Sequence, residues 1–254
     1  MSQTPANVVH FVPPNQRRLT LLAAQSDTLP VLIEGSSGSG KGGIARWIHT
    51  HSARAALPLL ETQKGAQLTE QITQAQGGSL IVSQISELSN EEQQTLLHFL
   101  KSHSLKSPQT QNLDHLFHTR IIATTSHNLA TRTTAGLFDK ELLEKLKPLA
   151  IKMPELCERL EEFEDITLTL VHEITRELHR EHLRSLSPKA WLVLRAHPWP
   201  GNIRELRNVL RIALRRAKGA RVEEKDLPDL TDRQIDFQAT REEFEKVLEM
   251  EKLK

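Results

Sequence analysis

The residues best suited to chemistry lie together in one short stretch, residues 31–41, VLIEGSSGSGK. An apolar strand runs into Gly35-Ser36-Ser37-Gly38-Ser39-Gly40-Lys41, which fits G-x-x-x-x-G-K. Glycines let successive backbone N–H groups curl around phosphate oxygens, and Lys41 can reach the terminal phosphates. The position after the lysine ordinarily offers a hydroxyl to Mg²⁺, and here it is Gly42. Further along, where a second apolar strand would end in carboxylates, the chain reads LIVSQI. The loop predicts phosphate binding, and its surroundings predict no competent hydrolysis. The plainer alternative for the loop is a glycine turn that only joins strand to helix.

No metal centre is expected. The twelve histidines are scattered, and the nearest approach to H-E-x-x-H fails because Arg176 stands where the second ligand would follow His172-Glu173. The single cysteine, Cys157, excludes an internal disulfide and any cysteine-based zinc site.

The elements that must position the loop alternate between strand and helix through the first 153 residues, which predicts a parallel α/β sheet. Pro30–Ile33, Ser79–Val82 and Arg120–Thr125 read as strands, and Gly43–Ser52 as a helix. Ser89-Asn90-Glu91-Glu92 is an N-cap and acidic first turn for a helix over 93–101, and Leu105–His115 reads as a surface loop. Beyond residue 153 only helical patterns occur: Phe163–Leu183, a helix opened by Ser187-Pro188, and another from Ile203 to Lys218 introduced by Pro200-Gly201-Asn202. Thr240–Lys254 reads as a separate amphipathic helix, suited to docking on its own helical subdomain or, the favoured alternative, on another chain. The resulting plan is 1–153, an α/β nucleotide-binding subdomain; 154–230, a helical subdomain; and 231–254, a terminal helix.

Bulk properties narrow the setting. With 254 residues the chain can form one large domain or two modest ones. Lys plus Arg number 33 against 32 Asp plus Glu, so global steering toward nucleic acid is weak. The basic run Arg204, Arg207, Arg211, Arg215, Arg216, Lys218 and Arg221 lacks interleaved aromatics and reads as a solvated face. No apolar run approaches the ~20 residues a bilayer needs, and the N-terminus lacks a signal-peptide core. These features predict a cytoplasmic protein.

The blocks GSSGSGK, GGSLIVSQ, IIATTS, GLFDKELLEKL, MPELCER and WPGNIRELRNVL, in this order, resemble the AAA+ module of bacterial enhancer-binding proteins. These are the NtrC-like ATPases that remodel the sigma-54 RNA polymerase, and the resemblance covers roughly residues 8–230. It implies a P-loop AAA+ parallel sheet followed by an all-helical lid. It also implies that Gly35, Ser36, Ser37, Gly38, Ser39, Gly40, Lys41, Gly42 and the second-sensor arginine, Arg204, form the nucleotide site.

Against the family pattern, Ser83 and Gln84 stand where an Asp for Mg²⁺ and a Glu that polarises water are expected. Ser126 stands at the sensor asparagine. Asp139 and Lys145 stand at the two arginines that act in trans, and lysine cannot make their planar bidentate contact. The segment between Pro58 and Gly77 is too short for the ELFGHEKGAFTGA insertion whose loop touches sigma-54. The expectation is a catalytically inactive AAA+ regulator working through protein contacts, with no catalytic residues and no metal site. Its cofactor would be ATP or ADP without a well-anchored Mg²⁺. Its partner would be itself, related AAA+ subunits or a regulatory protein. Direct sigma-54 contact through the usual loop is not expected, nor is nucleic-acid binding. The alternatives are a weak ATPase of transcription control using a replacement such as Glu87, and a sensor of a nucleotide or cyclic dinucleotide.

Overall fold

The computed structural model describes residues 11–63, 65–104 and 118–230. The loop expected at 105–115 and the terminal helix expected within 231–254 lie outside the described residues. By contact the chain divides into two units, Met1–Thr169 with Trp199–Leu206, and Leu170–Pro198 with Arg207–Lys254.

The first unit is built on five parallel strands: β1 (Val31–Gly35), β2 (Leu59–Glu61), β3 (Ser79–Val82), β4 (Arg120–Thr125) and β5 (Ala150–Met153). They lie in the order β2-β3-β4-β1-β5, so β1 is flanked by β4 and β5. The pleat sends alternate residues to opposite faces. Leu32, Leu80, Val82, Ile121 and Ala123 pack on one side with helices α3 (Leu68–Gln74), α4 (Asn90–Ser102), α5 (Leu129–Thr134) and α6 (Lys140–Leu146). Val31, Ile33, Ile81, Ile122 and Ile151 pack on the other with α1 (Pro14–Gln25) and α2 (Lys41–Thr50). A sheet buried on both faces explains why β1, β3 and β4 are nearly continuous apolar runs.

Those three strands were legible in the sequence; β2, β5, α1 and α3 were not. β2 and β5 have three and four residues, and β5 carries the exposed Lys152 in its middle. Their pairing comes from their neighbours in the sheet, which no local pattern encodes. Arg120, 1% exposed, ties α1 to the sheet, donating from Nε to Leu29 O at 3.2 Å and from Nη2 to Ala23 O. Burial, with help from the Arg54 charge, pulls its pKa down to about 10.

The second unit contains the end of α7 (Phe163–Glu177), α8 (Pro188–Ala196) and most of α9 (Asn202–Arg216). α7 stops short of the expected Leu183 because His179 takes a left-handed conformation, φ 53°. The His179 N–H then bonds to Arg176 O and the Arg180 N–H to Thr175 O, which together close a Schellman motif. Arg180 in turn caps α9, donating from Nη1 and Nη2 to Leu214 O, Arg215 O and Ala217 O. Two arginines of the basic face of α9 are engaged within this unit: Arg207 pairs with Glu173 and Glu177, and Arg211 with Glu177.

α4 begins with a reciprocal cap, Glu92 N donating to Ser89 Oγ at 3.2 Å and Ser89 N to Glu92 Oε2 at 2.7 Å. Ser89→Ala should therefore lower stability by about 1 kcal/mol in urea denaturation, and Ser89→Asp should stay near wild type, because aspartate accepts the same bond.

Candidate phosphate-binding site

The loop leaves the carboxyl end of β1 and closes into the first turn of α2. Two of its glycines need positive φ, Gly38 at 78° and Gly40 at 95°, a region that side chains rarely enter. Gly38 has a second reason to be glycine. A Cβ there would stand 2.0 Å from Gly201 O, so the loop lies flat against residues 199–206, which belong to the same unit. The Arg204 N–H donates to Gly38 O at 3.1 Å.

Asn202 fixes this approach. It is 1% exposed, left-handed at φ 55°, and bonded through both side-chain atoms. Nδ2 donates to Ser36 Oγ and Ser37 O, each at 3.0 Å, and Oδ1 accepts from Leu156 N at 2.8 Å. Asparagine is one of the few residues that both tolerates this backbone and carries such an amide. Sequence reading placed Pro200-Gly201-Asn202 only at a helix start; its role against the loop required the tertiary contact.

Lys41 Nζ donates to Gly35 O at 2.5 Å and Ser36 O at 2.7 Å, and Arg204 Nη1 reaches Ser37 Oγ at 3.5 Å. Neither cation's bonds go to a carboxylate. Burial first, and the Arg204 charge second, lower the Lys41 pKa to about 8 from its ordinary 10.5. Between those values the unfolded chain holds the extra proton, so this group's contribution to stability rises with pH across that window. Ser39, 2% exposed, has a hydroxyl with no hydrogen-bond partner. All the sequence-predicted residues from Gly35 to Gly42 and Arg204 thus meet around one loop. A cleft of about 800 Å³ begins at Glu34, Gly35 and Ser36 and is walled by Ser126, Asn128, Lys152 and Met153.

The ends of β3 and β4 are arranged differently. Gln84, left-handed at φ 51°, donates from Nε2 to Ser126 Oγ at 2.8 Å and accepts on Oε1 from Ser126 N at 2.9 Å. Ser83 Oγ donates to Glu61 Oε1 at 2.7 Å, and Glu61 Oε2 accepts from Arg46 Nη2 at 2.7 Å. Mg²⁺, which the resemblance brings with it, does not fit this set. Gly42 has no hydroxyl, the Ser83 hydroxyl is a donor to Glu61, and the Glu61 carboxylate is neutralised by a guanidinium. Among the described residues no group of three or more His, Cys, Asp or Glu could hold a metal ion. Asp139 serves locally, its Oδ1 accepting from Leu142 N at 2.8 Å to cap α6, and Lys145 is exposed.

Asn202→Ala should cost about 2–4 kcal/mol, because it strands the buried Leu156 N–H, removes two bonds to the loop and puts alanine at positive φ. Ser36→Ala, which removes one of those partners, should cost about 1 kcal/mol or less by the same denaturant measurement.

A family model described as the sigma-54 interaction domain matches residues 15–156, and one described as the AAA+ ATPase lid domain matches residues 157–243. The transcriptional regulatory protein ZraR of Salmonella typhimurium is 33% identical over 236 residues, covering 82% of this chain and 52% of ZraR. The alginate biosynthesis transcriptional regulatory protein AlgB of Pseudomonas aeruginosa is 33% identical over 206 residues, covering 71% of this chain and 45% of AlgB. The chain therefore spans about half the length of these curated relatives. Among solved structures, NtrX from Brucella abortus in complex with ATP is similar in fold, with a TM-score of 0.71 and 23% identity over 98% of this chain and 61% of that one. With a parallel sheet flanked by helices and a glycine loop at the end of β1, the chain belongs to the sigma-54 interaction domain family of AAA+ proteins and carries the lid domain that follows it.

Proposed function

We propose that this chain is a regulatory AAA+ module that holds ATP or ADP without hydrolysing it and acts through protein contacts. The observation that carries this reading is the pairing of Gln84 with Ser126. The side chain at the position expected to polarise water is a neutral amide, and it is bonded to the position expected to sense the γ-phosphate. An amide cannot accept the proton of an attacking water. The site residues are Gly35, Ser36, Ser37, Gly38, Ser39, Gly40, Lys41 and Gly42, whose backbone would wrap the phosphates, and Arg204, whose charge would meet them.

Two further features support the reading. Asp139 and Lys145 replace the arginines that would act on a neighbouring subunit, and an arginine finger is worth ~10³–10⁵ in rate. The segment between β2 and β3 is filled by α3, which buries Leu68, Gln71 and Ile72, leaving little chain for a sigma-54 contact loop. A subunit of this kind would neither turn over its own ATP nor complete a neighbour's site. Within a ring of intact relatives it would silence two adjacent sites.

Phosphate oxygens beside Lys41 would favour its charged form, so nucleotide binding should take up protons near pH 8 and weaken as pH rises from 7 to 9. Calorimetry in buffers of different ionisation enthalpy measures both effects, and Lys41→Ala should abolish them together with most of the binding heat. Equal heats for wild type and Lys41→Ala would dispose of the site. Steady ATP turnover on the order of one per second would overturn the inactive reading.

A further inference from the structure

The place where Mg²⁺ does not fit holds a guanidinium. Gly42 and Arg46 lie one turn apart on α2. Helical side chains lean toward the N-terminus, so residue 46 covers the backbone at 42. Gly42 offers nothing to oppose it: a Cβ there would stand 3.3 Å from Arg46 Nη1. The other terminal nitrogen, Nη2, is anchored to Glu61 Oε2, and Glu61 Oε1 accepts from Ser83 Oγ, both at 2.7 Å. The relay Arg46–Glu61–Ser83 thus joins the two positions from which a P-loop protein ordinarily holds its metal: the residue after the loop lysine and the end of β3.

We propose that Arg46 takes the place of the metal, so that this chain binds metal-free nucleoside di- and triphosphates. The proposal rests on the nucleotide-binding reading above and specifies the ligand's form. Guanidinium is permanently charged, and its planar fork matches phosphate oxygens. Glu61 holds one edge of the fork and leaves the Nη1 edge directed along the first turn of α2. Together with Lys41 and Arg204, Arg46 gives the loop three cationic side chains, one of them partly offset by Glu61. A Mg²⁺ ion already bound to the phosphates would occupy the oxygens that the free Nη1 edge is placed to meet and would reduce the ligand's charge. Added Mg²⁺ therefore weakens binding, the reverse of its effect in a hydrolysing P-loop site.

The test is a calorimetric titration of ATP and of ADP into the full chain, in excess EDTA and in Mg²⁺, for wild type, Arg46→Gln and Arg46→Lys. Arg46 is half-exposed and its ion pair lies on the surface, so both variants should fold as wild type does, which thermal melting checks. Wild type is expected to bind more tightly in EDTA than in Mg²⁺. Arg46→Gln should lose about tenfold in EDTA, about 1.4 kcal/mol, and Arg46→Lys should lose less. A wild-type affinity that is equal or weaker in EDTA overturns the proposal and leaves the nucleotide-binding reading standing. So does an Arg46→Gln variant that binds as wild type does in EDTA. Absence of binding in both conditions overturns that reading, and this proposal with it.

Discussion

The phosphate loop's geometry depends on one buried amide. Asn202 must enter the left-handed region while bonding the loop through Nδ2 and the Leu156 N–H through Oδ1. Glycine would satisfy the backbone and leave three partners without their bonds, the buried Leu156 N–H among them. Aspartate would accept from Leu156 but set its second oxygen against Ser37 O, acceptor facing acceptor. With Asn202 in place, Gly201 O lies so close to Gly38 that only glycine is accommodated there, and the Arg204 N–H reaches Gly38 O. The guanidinium that shifts Lys41 is placed by the same short segment that shapes the loop.

The site is unequal. Around the loop, positive charge accumulates: Lys41 and Arg204 close enough to interact, and Arg46 over the first turn of α2. At the ends of β3 and β4 the side chains are neutral and satisfy one another, as Gln84 does with Ser126. Cations hold a phosphate chain in its ground state. Cleavage needs a base, a metal or an oriented water in addition, and each requires a group aimed at the γ-phosphate when the transition state forms. Side chains already bonded to each other are poorly placed for that work. On the proposed reading, the arrangement favours binding over turnover.

Much of this was legible in the sequence, for identifiable reasons. The glycine loop is a local signal, and so are the apolar runs of β1, β3 and β4 and the Ser89 cap, because each depends on residues close in the chain. The substitutions at Ser83 and Gln84 could be read, but not what they do. The Gln84–Ser126 pair joins residues 42 apart, and Ser83 meets Glu61 on β2, a three-residue strand with no pattern of its own. Gly42 reads as a lost hydroxyl; that Arg46 lies over it follows from helical side-chain direction and from an anchor on another strand. The end of α7 escaped because His179, without the usual glycine signal, takes the left-handed closing position.

The central claim is that the site holds ATP and leaves it whole. Protein saturated with ATP can be held for hours at 25 °C, separated from unbound nucleotide, denatured, and its bound nucleotide resolved by ion-exchange chromatography. Recovery of ATP in stoichiometric amount, with no ADP beyond that of a protein-free control, is the result this account predicts. Recovery of mainly ADP with matching phosphate would contradict it.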